Sequence, residues 1–292
     1  MSSKLSFLII GASGYIGHYL YEQLVKKYPV YGTFASNPFP GGMHFDLIKS
    51  APQNLPYSQV KYAVIFSAVS KIDICKSHPE LSRKINIEGV ESLLIKLKEK
   101  NIFPIYISSD AVYQGINGNY GEASEGPAVN VYGGHRKEIE KFIQDHFKRY
   151  CILRFSKVVG YDDKRSDLLS DLYCRITAGE VLKLVKDQKF QIVSLSDMAV
   201  VIEQVAQKNM TGIFNIATPQ TVSRKELACR LGNLLEIKNL EIEELPLSYF
   251  NFTDKRANNP SMKIDRFISD SGFRFQTIDK ILRDFLKEAK AH

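Results

Sequence analysis

The stretch Leu5-Ser-Phe-Leu-Ile-Ile-Gly-Ala-Ser-Gly-Tyr-Ile-Gly17 leads from an apolar run through a glycine-rich turn into a helical pattern. Glycine is needed where the backbone turns tightly or approaches a pyrophosphate, and the N-terminus of the next helix offers free N–H groups to the anion. The string alone is a weak signal, and a purely structural turn is the alternative. Its strand–turn–helix context favours a dinucleotide-binding site with predicted contacts at Gly11, Ser13, Gly14, Tyr15 and Ile16.

Beyond this turn, the first half of the chain alternates β-rich runs with helical stretches, a pattern typical of parallel βαβ units. We therefore predict an α/β fold. A Rossmann-type doubly wound parallel sheet occupies residues 1–160, later segments return to it, and residues 161–292 mostly build a smaller lobe over its carboxyl edge. The predicted strands are Leu5–Ile10, Val30–Phe34, Tyr62–Phe66, Ile105–Ser108 and Cys151–Phe155, and the predicted helices lie near Tyr15–Lys27, Leu81–Lys100 and Val131–Lys148.

Two helix starts are predicted in the second half of the chain. Ser223 and Glu226 have the spacing of a capping box that opens a helix through Leu235. Thr277 is the predicted N-cap of a last amphipathic helix. The apolar face of that helix is Ile278, Ile281, Leu282, Phe285 and Leu286.

Composition restricts the class of protein. The chain has 292 residues, 44% of them hydrophobic, which is sufficient for a large folded core, and no apolar run approaches the ~20 residues of a membrane span. We expect a cytoplasmic protein with no membrane partner. The net charge of +7 is spread along the chain, so nucleic-acid binding is not expected either. Four dispersed cysteines and isolated histidines predict no metal site.

The end of the second predicted strand indicates which dinucleotide is bound. An acidic side chain there would bind the 2′-hydroxyl of NAD and repel the 2′-phosphate of NADP. The run Thr33-Phe-Ala-Ser36-Asn37 has no acid, which favours NADP with NAD as the alternative, although it has no basic residue either. Further along, Asp46 and Leu47 are predicted either to contact the adenine or to lie in a surface turn.

Ser109 and Tyr132 are the candidate catalytic residues. Ser109 ends a predicted strand, and Tyr132 follows it by 23 residues at the start of a helix. A phenol can protonate a ketone that is being reduced by hydride, if a nearby cation lowers the phenol pKa and a hydroxyl holds the carbonyl oxygen. These residue types must therefore meet above the nicotinamide.

The required cation lies on the same helix as Tyr132. Residues four apart on a helix differ by about 40° and share a face, whereas residues five apart diverge by about 140°. Arg136 should therefore face Tyr132, and Lys137 should point away unless a rare π-bulge brings it around.

From the glycine turn nearly to the C-terminus, the chain resembles the extended short-chain dehydrogenase/reductases, and within them the dTDP-4-dehydrorhamnose reductase-like sugar-nucleotide reductases. The matching stretches are Gly11–Gly17, Ser67–Asp73, Asn86–Gly89, Ile107–Tyr113, Asn130–Gly133, Arg154–Gly160, Phe190–Ala199 and Arg256–Pro260.

The resemblance implies roles for individual residues. Ser109 would be the hydroxyl of a catalytic triad, Tyr132 the proton donor, and Arg136 would take the place of the usual lysine. An ungapped alignment also puts Glu140 at the family's helix glutamate, which supports this register. Most of the second half would form the substrate lobe. The implied cofactor contacts further include Ala68, Val69, Ser70, Tyr132 and Arg136, and the implied substrate contacts are Ser70, Ser109, Asp110, Lys157 and Arg256.

Three departures bear on the reaction. The family's dehydratases place glutamate after the aspartate that follows the catalytic hydroxyl, but here Asp110 is followed by Ala111, which fits the reductases. Lys157 stands where rhamnose-forming reductases have tryptophan. Arg136 supplies a positive charge but cannot lose a proton, so a relay through a neutral lysine is closed.

Three functions are compatible with the sequence. The first is an NADPH-dependent reductase of the C4 ketone of a nucleotide-linked 4-keto-6-deoxy sugar, as in dTDP-rhamnose and polysaccharide biosynthesis. The second is a non-catalytic NADP-binding regulatory protein resembling the beta subunit of methionine adenosyltransferase. The third is a nucleotide-sugar epimerase. A nucleotide sugar is the expected ligand, and a homodimer is left open.

Overall fold

A seven-stranded parallel sheet forms the centre of the protein in a computed structural model that describes residues 5–66, 68–162 and 167–291. Its strands are β1 (Phe7–Ile10), β2 (Val30–Phe34), β3 (Met43–His44), β4 (Tyr62–Ile65), β5 (Phe103–Ser109), β6 (Cys151–Phe155) and β11 (Gly212–Ile216), in the order β11-β6-β5-β4-β1-β2-β3. The order reverses between β1 and β4, and ligands of such sheets bind beyond the strand ends at that point. The predicted α/β fold is confirmed.

The remaining strands are short and lie outside the central sheet. They form three pairs, with β7 on β10, β9 on β12 and β8 on β13. Their ranges are β7 (Lys157–Val159), β8 (Leu182–Val185), β9 (Lys189–Phe190), β10 (Ile192–Ser194), β12 (Val222–Ser223) and β13 (Ile242–Leu245).

Helices cover both faces of the central sheet and also pack together in the second half of the chain. They are α1 (Tyr15–Val25), α2 (Ile72–Ser77), α3 (Pro79–Arg83), α4 (Val90–Glu99), α5 (Val131–His146), α6 (Leu168–Thr177), α7 (Leu195–Lys208), α8 (Arg224–Leu234), α9 (Asp265–Ser271) and α10 (Ile278–Ala289). Within the described ranges, no helix is long and apolar enough to cross a membrane.

Side chains alternate along the central strands and build two separate cores. Phe7 and Ile9 of β1 pack toward α7, whereas Leu8 and Ile10 pack on the face that α4 and α5 cover. All four are fully buried, as expected for a parallel strand covered on both faces. A third apolar core lies between α6, α8 and α10 in the second half. Strand β11 and helix α7 return to the central sheet from beyond residue 160.

One predicted helix is interrupted. The sequence pattern predicted a continuous helix over Leu81–Lys100, but a π-helical segment at Lys84–Gly89 separates α3 from α4. The Asn86 side chain and the close approach of Gly89 to Leu47 explain the position of the break. The Asn86 amide bonds to the backbone of Val69, and a Cβ on Gly89 would lie 2.8 Å from Leu47 Cβ. These tertiary contacts leave no trace in the apolar periodicity.

Both predicted helix starts in the second half are present. Ser223 and Glu226 form a complete capping box at α8, which ends at Leu234, one residue earlier than predicted. The Thr277 hydroxyl accepts a hydrogen bond from the Lys280 amide at the start of α10. The five predicted apolar residues of α10 are all buried.

Candidate active site

The glycine-rich turn brings β1 and α1 close together. A Cβ on Gly17 would lie 2.3 Å from the Gly11 carbonyl oxygen, so any side chain there would separate the helix from the turn. Gly14 is the N-cap of α1 and provides no side chain to bond the first amides of the helix. Those amides face a cleft of about 700 Å³ and are suited to bind an anion.

Two contacts fix the start of helix α5, which carries Tyr132. The Asn130 side chain accepts a hydrogen bond from the Gly133 amide at 2.9 Å and so caps the helix. Gly133 lies against the turn that follows β5, where a Cβ would be 1.9 Å from the Ala111 carbonyl oxygen. The helix can therefore approach Ser109 and Asp110 only because residue 133 has no side chain.

Arg136 lies between two tyrosines. Its Nε donates to the Tyr132 hydroxyl at 3.1 Å, and its Nη1 donates to the Tyr106 hydroxyl at 3.0 Å. The guanidinium carbon is also 5.0 Å from the centroid of the Tyr132 ring and 5.4 Å from that of Tyr106. Because the Tyr132 oxygen accepts from Arg136, its own proton is left for a group in the cleft.

The charge of Arg136 is retained in the interior. The residue is 5% exposed and makes no ion pair within the described ranges. Burial by itself would lower the pKa of Arg136, but interactions with the oxygens of Tyr106 and Tyr132 raise the pKa above its ordinary value. Burial also raises the pKa of Tyr106 to about 12. This site therefore holds a permanent cation between the hydroxyls of Tyr106 and Tyr132.

Lys137 points away from the cleft. Its ammonium group donates to the carbonyl oxygen of Gly126, on an exposed loop. Helix α5 is regular over Val131–His146, and no π-bulge brings Lys137 round to Tyr132. The four-residue spacing predicted this orientation of both side chains.

Ser109 and Asp110 occupy the turn after β5. The Ser109 hydroxyl donates to the Asp110 carboxylate at 2.9 Å and accepts from the Ala111 amide at 3.2 Å. Burial raises the pKa of Asp110, and the nearby Lys157 opposes that shift. Ser109 lies in the same cleft as Tyr132 and Arg136, whereas Asp110 lines a neighbouring cavity.

The cleft contains most of the predicted cofactor contacts. Buried polar atoms test whether a cofactor would fit, because such atoms need partners. The Tyr15 hydroxyl, Ser156 Oγ and Asp167 Oδ1 are buried without a hydrogen-bond partner among the described residues, and all three residues line this cleft. Together with the free amides of α1, they fit a polar dinucleotide. The predicted contacts in its lining are Gly11, Ser13, Gly14, Tyr15, Ile16, Ser36, Asn37, Ala68, Ser70, Tyr132 and Arg136.

Three predicted cofactor contacts lie outside that lining. The Asp46 carboxylate accepts hydrogen bonds from the Ile48 and Lys49 amides, which lower its pKa below the usual value against the opposing effect of burial. Asp46 therefore stabilises a turn, the second of its two predicted roles. Leu47 packs against Gly89, and both polar backbone atoms of Val69 bond to Asn86. Ser67, the first residue of a matching stretch, lies outside the described residues.

A family model described as "RmlD substrate binding domain" matches residues 5–291, almost the whole chain. This chain belongs to that family.

Individual relatives are distant in sequence. Methionine adenosyltransferase 2 subunit beta from Bos taurus is 21% identical over 82% of this chain and 74% of its own length. The probable low-salt glycan biosynthesis reductase Agl14 of Haloferax volcanii is 24% identical over 78% and 79%. Among solved structures, a dTDP-4-dehydrorhamnose reductase from Bacillus anthracis in complex with NADP superposes with a TM-score of 0.87, at 19% identity over 98% of this chain and 100% of that one.

A second cavity of this RmlD-family protein adjoins the cleft at Asp110. It is lined by the turn after β5 and by residues from the second half of the chain, among them the predicted substrate contacts Lys157 and Arg256. Arg256 Nη2 donates to Asp73 at 2.7 Å, and its guanidinium lies 4.4 Å from the Phe252 ring centroid. The loop carrying Arg256 also contacts α5, because Asp254 accepts from the Val131 amide at 2.9 Å.

Sequence reasoning missed two residues of the site. Tyr106 belongs to an apolar strand in the sequence pattern. The alternation along β5 places its side chain on the face covered by α5, the helix that carries Arg136. Arg224 lines the second cavity as the first residue of α8. A basic residue at a helix N-terminus opposes the helix dipole, and that could have drawn attention to it.

Histidine and cysteine side chains supply no metal site in the part of the chain that the structure describes. No group of three or more His, Cys, Asp or Glu side chains there is arranged to hold an ion. His135 on α5 is buried, and its Nδ1 lies 3.3 Å from the Asn86 amide nitrogen. Burial lowers the pKa of His135.

Proposed function

We propose that the protein is an NADP-dependent reductase of a nucleotide-linked 4-keto-6-deoxy sugar, with Ser109, Tyr132 and Arg136 as its catalytic residues. The observation that carries the proposal is the 3.1 Å hydrogen bond between Arg136 and Tyr132. Both residues line the same cleft as Ser109 and the glycine turn. Membership of the RmlD family supports a sugar-nucleotide ligand.

Each residue would have a distinct task in this reaction. When bound, the nicotinamide supplies a hydride to the C4 carbon of the sugar. Ser109 would hold the ketone oxygen by donating its hydroxyl proton to it instead of to Asp110. Tyr132 would transfer a proton to that oxygen, while Arg136 stabilises the phenolate that remains.

The cofactor is proposed to be NADP, held by the glycine turn and by the residues that follow β2. Ser36 and Asn37 line the cleft there, and no carboxylate accompanies them to repel a 2′-phosphate. The variant Ser36→Asp should weaken NADPH binding more than NADH binding. Fluorescence titration with both cofactors measures this, and an unchanged preference would contradict the assignment.

Turnover is tested by mixing the pure protein with NADPH and a panel of 4-keto-6-deoxy sugar nucleotides while following NADPH absorbance. Oxidation with at least one substrate is expected, and Tyr132→Phe should slow it by about 10²- to 10⁴-fold. Tight NADPH binding without oxidation of any panel member would refute the reductase. Net epimerisation of a sugar nucleotide with no cofactor consumed would identify an epimerase instead.

A second candidate is a non-catalytic NADP-binding regulatory subunit. Relatives named methionine adenosyltransferase 2 subunit beta support it, as does the arginine in place of the family's lysine. This candidate predicts NADPH binding without turnover, together with a changed activity of a methionine adenosyltransferase catalytic subunit when the protein is added. An unaltered activity in that assay argues against it.

A further inference from the structure

The second cavity carries an excess of positive charge. It has a volume of about 170 Å³, and its described lining includes Lys157, Arg224 and Arg256 but a single carboxylate, that of Asp110. Asp110 already accepts a hydrogen bond from Ser109. Cavities lined by one sign of charge concentrate ligands of the opposite sign.

Arg256 has a partner from within the protein. It pairs with Asp73 at 2.7 Å and also donates to the Asp254 carbonyl oxygen at 3.0 Å. Because Asp73 balances the charge of Arg256, the excess in the cavity comes from Lys157 and Arg224.

Arg224 is held in place without a counter-ion. Its Nε donates to the Gln188 side-chain oxygen at 3.2 Å, and its guanidinium carbon lies 5.8 Å from the Phe190 ring centroid. Across the described ranges, no carboxylate comes within ion-pair distance of Arg224. It is also the first residue of α8, where the positive end of the helix dipole opposes a cation. The position is therefore unfavourable until an anion arrives.

Lys157 provides the second charge. Lys157 is the first residue of β7. Its side chain is accessible to solvent and lies in the wall of the cavity. Desolvation by the surrounding protein and the nearby positive charge of Arg224 lower the pKa of Lys157, whereas the carboxylate of Asp110 opposes this shift. No hydrogen bond or ion pair to another described residue engages its ammonium group.

We propose that Lys157 and Arg224 form an oxyanion subsite for the sugar nucleotide. Its ligand is a phosphate or carboxylate oxygen bound between the ammonium and guanidinium groups. Two parts of a sugar nucleotide can supply this chemistry, namely the diphosphate and a carboxylate on the sugar. The inference rests on the proposed class of ligand but does not depend on turnover.

Binding of nucleotides to the full-length protein with NADP⁺ present tests the subsite. The variants are Arg224→Gln and Lys157→Gln, and the matched control is Lys225→Gln, which removes an exposed lysine paired with Glu244 at 2.5 Å. Thermal unfolding and NADPH titration verify that each variant is folded. Calorimetry then gives dissociation constants for uridine, UDP, UDP-glucose and UDP-glucuronate, with thymidine and dTDP in parallel.

Wild type should bind the diphosphates more tightly than the nucleosides. Each variant should weaken binding of the anionic ligand by about tenfold to a hundredfold, as expected for loss of a charged hydrogen bond, and leave nucleoside binding unchanged. The control should bind every ligand as wild type does. Added salt should weaken wild-type binding more than binding by the two variants.

The two sources of the oxyanion give different results. A loss for UDP, dTDP, UDP-glucose and UDP-glucuronate alike assigns the subsite to the diphosphate, whereas a loss for UDP-glucuronate alone assigns it to a sugar carboxylate. Variants that bind every ligand as wild type does would overturn the proposal. So would a wild-type protein that gains affinity from neither the diphosphate nor the glucuronate carboxylate. None of these results depends on NADPH oxidation, so a failed reductase assay is a separate outcome.

Discussion

Arg136 and Arg154 are two buried arginines at neighbouring positions of the same fold, with opposite electrostatic surroundings. They are 5% and 7% exposed, and each donates to a buried tyrosine. Arg136 donates to Tyr106 within β5, and Arg154 donates to Tyr113 in the segment that follows β5. Arg154 also forms an ion pair with Glu140, whereas the hydrogen-bond partners of Arg136 among the described residues are two phenol oxygens. Removing the partner of a paired buried charge strongly destabilises the fold, whereas an unpaired buried charge in a cleft marks a candidate ligand site.

Glu140 determines this difference. It lies one helical turn after Arg136 on α5, yet its carboxylate is directed to Arg154, with nitrogen–oxygen distances of 2.6 to 3.1 Å. Ser108 donates to the same carboxylate at 2.5 Å. These bonds saturate Glu140, which keeps its negative charge away from Arg136.

The largest expected effect follows removal of that carboxylate. Glu140→Gln leaves Arg154 buried without a counter-ion and should lower the free energy of unfolding by about 3–5 kcal/mol. Urea unfolding measures it. Glu138→Gln, on the same helix, is the control, because Glu138 pairs with Arg83 at the exposed surface and should cost less than about 1 kcal/mol. Equal losses in the two variants would remove the distinction between the sites.

The reverse pattern is expected at Arg136. Arg136→Met removes an unpaired buried charge, so the free energy of unfolding should change by no more than about 2 kcal/mol, mainly from the two tyrosine hydroxyls left without a donor. Turnover should nevertheless fall by about 10²- to 10³-fold. Chemical denaturation and steady-state kinetics of the same preparation test both. A large stability loss with unchanged kinetics would make Arg136 structural.

The pH dependence of the variant Arg136→Lys gives a further test of the role of the unpaired arginine. The pKa of Arg136 lies above its ordinary value, so the wild-type cation persists across the assay range. A lysine there is protonated below its own pKa and neutral above it, and burial lowers that pKa. We expect raised activity near neutral pH and a new decline as pH rises, measured as kcat/KM against pH. An unchanged rate and profile would take residue 136 out of the catalytic group.

A smaller effect is expected from the two tyrosines that contact the arginines. Tyr106→Phe and Tyr113→Phe each remove one oxygen that accepts from a buried guanidinium, and each should cost about 1–3 kcal/mol of stability. Only Tyr106→Phe should also alter kcat or the KM for NADPH, because Arg136 lines the cleft. Matching kinetic losses in both variants would show that neither tyrosine acts through its arginine.

Much of this fold could be predicted from local sequence. The apolar run, the glycine turn and the start of α1 at Tyr15 are local signals, and strands β2 and β6 have the predicted bounds. The interrupted helix could not be predicted, since its π-helical segment depends on contacts of Asn86 and Gly89 with residues distant in sequence.

Prediction of the candidate site was likewise limited to residues that lie close together in the sequence. Helical spacing predicted that Arg136 faces Tyr132, because both lie on one helix. Tyr106 and Arg224 meet the site only through packing of separate elements, so no spacing in the sequence connects them to it. Asp46 remained ambiguous because an aspartate can cap a turn or bind a ribose, and only its hydrogen bonds to Ile48 and Lys49 favour the turn.

The close contact at Gly133 has a consequence for how this protein can evolve. A methyl group at position 133 would overlap the Ala111 carbonyl oxygen, whereas one at Gly134 would meet no atom within 4 Å. In a saturation mutagenesis library selected for function, glycine alone should survive at 133, while alanine should be accepted at 134 and favour the helix. Two identical neighbours in the sequence would thus differ completely in mutational tolerance.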